Sequence, residues 1–112
     1  MDGAHPAALS DSRRAAVPGL HPQALRVFIV EDSVATLEYL IETISSLDYI
    51  HVVGYADTEA DALIRLQTIP CDAVVLDLQL RTGHGFNVLK SLRDFPPERR
   101  IIVLVLINRR GR

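Results

Sequence analysis

With 112 residues, 48% of them hydrophobic, the chain has material for one small domain with a modest core. Its net charge of −2 leaves no basic footprint for nucleic acid, and its one cysteine, Cys71, excludes an internal disulfide or a thiolate metal site. The longest apolar run, Ile101 to Ile107, is seven residues and too short to cross a membrane, so the chain is expected to be soluble and cytoplasmic.

Met1 to Ala24 is rich in Ala, Pro, His, Ser and Arg, and Pro6, Pro18, Gly19 and Pro22 interrupt any periodicity. Residues 1–24 read as a flexible leader. Arg13-Arg14 is followed by no apolar stretch of export-signal length, so no export is implied.

From Leu25 the pattern changes. Leu25 to Val30 predicts a strand that ends in Glu31-Asp32, with Asp32 or Ser33 available to cap a helix over Val34 to Leu47. Leu37, Leu40, Ile41, Ile44 and Leu47 form the apolar stripe of that helix, with Glu38 and Glu42 on the other side. His51 to Tyr55 predicts a second strand. Thr58 and Asp61 have capping-box spacing and open a helix that stops before Pro70, with Ala60, Leu63, Ile64 and Gln67 on one face. Ala73-Val74-Val75-Leu76 is an unbroken apolar run expected to be buried on both faces, and Cys71 at its start is expected to serve packing. It ends in Asp77 and a loop carrying Gly83 and Gly85. Leu89, Leu92 and Phe95 mark a third helix stopped by Pro96-Pro97. Ile101 to Ile107 is a fourth strand, and Asn108 to Arg112 a polar, basic tail.

This βαβαβαβ order calls for a parallel sheet with right-handed crossovers and helices on both faces. If the first and third strands are adjacent, Glu31, Asp32 and Asp77 converge at the carboxyl edge, where open α/β sheets place their chemistry. Three carboxylates together are a site for a hard divalent cation. The blander reading gives Glu31 and Asp32 to the dipole of the first helix, which accounts for one acid better than two. His84 reads as a solvent-facing loop residue. Arg99, Arg100, Arg109, Arg110 and Arg112 read as charges flanking an apolar strand.

Taken together, Val27-Phe28-Ile29-Val30-Glu31-Asp32, Ala73-Val74-Val75-Leu76-Asp77 and Gly85 resemble the receiver domain of bacterial two-component response regulators, over Leu25 to about Leu104. The resemblance implies a flavodoxin-like, doubly wound α/β fold with strand order 2-1-3-4-5. It implies that Asp77 accepts a phosphoryl group from a histidine kinase or a histidine phosphotransfer protein. It also implies a Mg²⁺ held by Asp32 directly, Glu31 through water, Asp77 and the backbone carbonyl of Gln79.

Departures accompany the likeness. Family members carry Ser or Thr at the end of the fourth strand, where Val105 or Ile107 stands, and a Lys after the fifth strand, whereas the only lysine is Lys90. Residues 25–112 are therefore expected to form a receiver truncated after the fourth strand, and Ile101 to Ile107 an exposed edge through which two copies pair as a homodimer. Three function classes follow: a phosphoacceptor receiver, a degenerate receiver acting by association alone, and a phosphatase with an aspartyl-phosphate intermediate. The last usually needs an Asp two residues after the nucleophile, and Gln79 occupies that place. The chain is not expected to be an enzyme.

Overall fold

The computed structural model describes residues 24–107. Strands β1 (Leu25–Val30), β2 (Ile50–Ala56), β3 (Ala73–Asp77) and β4 (Ile102–Leu106) alternate with helices α1 (Val34–Ser45), α2 (Glu59–Thr68) and α3 (Gly85–Arg93). All strand pairs are parallel, and the order across the sheet is β2-β1-β3-β4. The first strand thus lies inside the sheet, and the direction of winding reverses between β2 and β3. That reversal is the topological switch point of a doubly wound fold.

Side chains of a strand alternate between faces, and here the alternation sorts the core into two layers. Phe28, Val30, Val74 and Leu76 pack on one face with Ala62 and Leu66 of α2 and Val88 and Leu92 of α3. Val27, Ile29, Ala73 and Val75 point to the other face, against Leu37, Leu40, Ile41 and Ile44 of α1. Every residue of β3 is buried, as its unbroken apolar run predicts for a strand covered on both sides.

The helices differ from expectation in detail. α1 ends at Ser45 with Ser46 as its cap, so Leu47 falls in the following turn and is 43% exposed rather than extending the stripe. α2 begins at the Thr58 cap, whose hydroxyl accepts from the Asp61 amide, but its buried residues are Ala62 and Leu66. Leu63 packs partly beside them, whereas Ala60, Ile64 and Gln67 are exposed. The helix is therefore rotated from the predicted face, because the apolar pair spaced by four residues that meets the sheet is Ala62 and Leu66. α3 ends at Arg93, and Phe95 packs against the core from beyond its end. β2 runs one residue further at each end than the sequence indicates, and β4 one residue less. Ala24, assigned to the leader, is 1% exposed; residues 1–23 and the tail Asn108 to Arg112 lie outside the described residues. No helix among the described residues is long and apolar enough to cross a membrane.

At the amino edge of the sheet a polar clasp joins three strands. Arg26 is 7% exposed, and its Nε and Nη2 donate to the Asp72 carboxylate at 3.1 and 3.2 Å. The Arg26 amide donates to the same carboxylate at 2.8 Å, the Asp72 amide to the Arg26 carbonyl at 2.8 Å, and the Ile102 amide to the Asp72 carbonyl at 2.9 Å. Asp72 thereby sets where β3 enters the sheet between β1 and β4. Removing the acid leaves a guanidinium in a place closed to water. Asp72→Ala should lower stability by about 2–4 kcal/mol, less than a fully buried pair would lose because the Asp72 side chain keeps 23% of its surface exposed. Urea unfolding measures this, and a loss below about 0.5 kcal/mol, the level of a surface pair, would contradict the clasp.

Candidate functional site

The adjacency of β1 and β3 decides where the acids meet. Val30 lies opposite Leu76 in the parallel register, so Glu31-Asp32 and Asp77 leave the sheet at the same edge. Carboxylate oxygens of Glu31, Asp32 and Asp77 come within 4.8 Å of one another. Glu31 is 1% exposed and Asp77 0%, while the Asp32 side chain keeps 7% of its surface.

A backbone amide from a nearby loop orients each acid. The Ser33 amide donates to Glu31 Oε2 at 3.0 Å, and the Gln79 amide to Asp77 Oδ1 at 2.9 Å. The Arg81 amide donates to Asp32 Oδ2. Such bonds to ionised acceptors are about twice as strong as neutral ones, which suits carboxylates held close together. Of the two candidate caps for α1, Ser33 takes the role: its Oγ accepts from the Thr36 amide at 3.3 Å. Asp32 is turned toward Asp77 and the loop after β3.

That loop is anchored at both ends. Gly85, buried at the start of α3, lies so close to the Asp77-Leu78 peptide that a Cβ there would overlap the Asp77 carbonyl and stand 2.8 Å from Leu78 Cα. Only glycine lets α3 begin against the end of β3. Further along the loop, Glu59 at the start of α2 accepts from the His84 amide at 2.9 Å and from Asn87 Nδ2 at 3.1 Å, while its own amide donates to the Thr82 carbonyl at 3.3 Å. Gly83 between them has φ +84°, a left-handed conformation that favours glycine. The His84 amide, then Asn87, lower the Glu59 pKa from its ordinary value of 4.5, so this latch is charged at neutral pH. The His84 side chain is exposed and makes no cap bond.

Sequence reasoning brought Glu31, Asp32, Asp77 and Gln79 to this edge and left out Glu59 and Arg81. Glu59 read as an ordinary first-turn acid, and no local pattern ties it to a loop 25 residues later. Arg81 is 49 residues from Asp32 and carries no motif. On the β4 side, Leu76 and Asp77 lie opposite Val105 and Leu106. The end of β4, Val105-Leu106-Ile107, therefore offers no side-chain hydroxyl to a group on Asp77.

The donor set suits a hard cation. All-oxygen ligands, two or three of them carboxylates, are what Mg²⁺ takes, usually with several waters retained. Two oxygens on one Mg²⁺ stand at most about 4.2 Å apart, so a 4.8 Å span fits if one acid acts through water or closes by a few tenths of an ångström.

Comparison with known proteins gives a consistent set. The family described as response regulator receiver domain matches residues 27–109. A protein-glutamate methylesterase/protein-glutamine glutaminase of Clostridium acetobutylicum is 28% identical over 80% of this chain, which spans 26% of that protein. The DNA-binding transcriptional activator DevR/DosR of Mycobacterium tuberculosis is 29% identical over 71% of this chain and 37% of its own length. Among solved structures, the CheY-like response regulator receiver domain from Methylobacillus flagellatus superposes with a TM-score of 0.64 at 30% identity, covering 73% of this chain and 68% of that one. The chain thus spans about a quarter of the length of the methylesterases it matches, 26% and 24%.

Proposed function

The chain belongs to the response regulator receiver domain family, and from that membership we propose that it is a phosphoacceptor in two-component signalling, with Asp77 as the residue modified. The observation that carries this reading is the burial of Asp77 at the end of β3 with Glu31 and Asp32 within 4.8 Å. The donor is a phosphohistidine on a sensor kinase or a phosphotransfer protein, in the cytoplasm. An Asp77 carboxylate oxygen attacks phosphorus in line; the new P–O bond forms as the P–N bond breaks, and the leaving imidazole takes up a proton. Two anions approach one another in that step. Asp32, Asp77 and the Gln79 carbonyl, with Glu31 through water, would hold a Mg²⁺, whose positive charge would offset both. The Gln79 amide fixes the rotation of the Asp77 carboxylate, and Gly85 fixes the peptide behind it. Positioning and electrostatics are most of what such a transfer requires.

Incubation with acetyl phosphate and Mg²⁺ should add one phosphoryl group at Asp77, detected by mass spectrometry of the intact chain and its peptides. Asp77→Asn should abolish it. Modification at another residue, or none with the donor still intact, would favour a receiver that works only by association.

The partner surface has its own support. Among the described residues β4 is hydrogen-bonded to β3 alone, and Ile102, Leu104 and Ile107 are 64%, 59% and 82% exposed. An apolar groove lined by Phe86, Leu89, Ile101 and Val103, with Lys90 and Arg93 at its rim, runs beside the same strand. We propose a second copy of this chain as the occupant. Under a two-fold axis, β4 pairs with its own image antiparallel and closes both edges with one contact. At about 25 cal/mol per Å², covering a few hundred Å² of apolar surface contributes several kcal/mol. Sedimentation equilibrium of the 112-residue chain should show a monomer–dimer equilibrium that Leu104→Lys shifts to monomer; a monomer at all concentrations would overturn the proposal.

A further inference from the structure

Arg81 approaches Asp32 twice, once through its backbone and once through its side chain. Besides the Arg81 amide on Oδ2, the Arg81 side chain reaches the same oxygen, with Nε at 3.9 Å. The two partners of this pair differ sharply in surroundings: the Asp32 side chain is 7% exposed and the Arg81 side chain 78%. The acid is thus fixed in the cluster, and the guanidinium sits over it from the solvent side. The backbone of Arg81 cannot follow its side chain away. It lies in a segment pinned at Gln79 by Asp77, at Arg81 by Asp32, and at Thr82 and His84 by Glu59. The side chain can leave while the loop stays.

We propose that Arg81 is a built-in counter-cation that competes with the divalent cation for Asp32 and so sets the affinity of the site for metal. This rests on the metal reading given above. Two cations cannot share one carboxylate without mutual repulsion, and the Arg81 Nε at 3.9 Å from Asp32 Oδ2 is close enough to feel the charge of an ion that Asp32 would hold. Without metal, Arg81 offsets part of the repulsion among the three carboxylates. When metal enters, the guanidinium turns out to solvent, and its exposure makes that movement easy. An exposed pair of this kind is worth the equivalent of about two- to five-fold in an equilibrium constant. The competition is therefore a modest tuning, and it weakens as added salt screens the exposed charge.

The test is a Mg²⁺ titration of the full chain at low ionic strength, followed by amide shifts at Asp32, Asp77 and Arg81, for the wild type, Arg81→Ala, Arg81→Glu and Arg81→Lys. None of these substitutions removes the backbone N–H that binds Asp32, so the loop clamp is retained and the charge alone is varied. The expected order of affinity is Arg81→Glu above Arg81→Ala above wild type, with Ala about two- to five-fold tighter than wild type, Arg81→Lys close to wild type, and the differences shrinking as salt is raised. A purely structural role for Arg81 would not give this charge order. Equal affinities in all four proteins, or weaker binding by Arg81→Ala, would overturn the competition while leaving the metal site intact. Absence of Mg²⁺ binding in every variant would overturn the metal reading itself, and the competition with it. Binding detectable only in Arg81→Ala and Arg81→Glu would support it.

Discussion

The parallel pairing of β1 with β3 is the contact on which the other features depend. It places two strands distant in sequence side by side with their carboxyl ends level, and three acids meet where a different strand order would scatter them. The pairing is secured at the opposite edge by the Arg26–Asp72 clasp and along its length by apolar side chains on both faces. The site is therefore built on two of the best-buried strands of the sheet, and its precision derives from the core.

Against that stability stands the electrostatic cost of the site. Three carboxylates within 4.8 Å repel one another, and burial removes the water that would screen them. The structure offsets this with backbone amides from Ser33, Gln79 and Arg81, and with the Arg81 guanidinium outside. Two of those donors belong to the loop after β3, which Gly85 and Glu59 anchor to the starts of α3 and α2. The same amides hold the carboxylates in place, so the geometry that a cation would meet is set by that loop.

Much of this was legible in the sequence because it rests on short runs. Val27 to Val30 and Ala73 to Leu76 announce buried strands, and each ends in acid, so Glu31, Asp32 and Asp77 meet once the two strands are adjacent, an order that the resemblance implied and the runs alone did not. The rotation of α2 was not legible: Ala60, Leu63 and Ile64 offer one apolar face and Ala62, Leu63 and Leu66 another, and contact with the sheet chose the second. Nor were Glu59 and Arg81, whose roles rest on contacts across 25 and 49 residues between polar groups that look ordinary in isolation. Asp72, between Cys71 and the apolar run, looks like an ordinary acid beside a strand, and its pairing with Arg26 needs the sheet to exist first.

The single hard-cation site proposed at Glu31, Asp32 and Asp77 is open to a direct measurement. Substoichiometric Mn²⁺, a paramagnetic ion with the same preference for oxygen ligands, tests it directly through the line widths of backbone amides. Broadening should centre on Glu31, Asp32, Asp77 and Gln79, be reversed by excess Mg²⁺ and be weakened by Asp77→Asn. Broadening centred elsewhere, or none at these four positions, would contradict it.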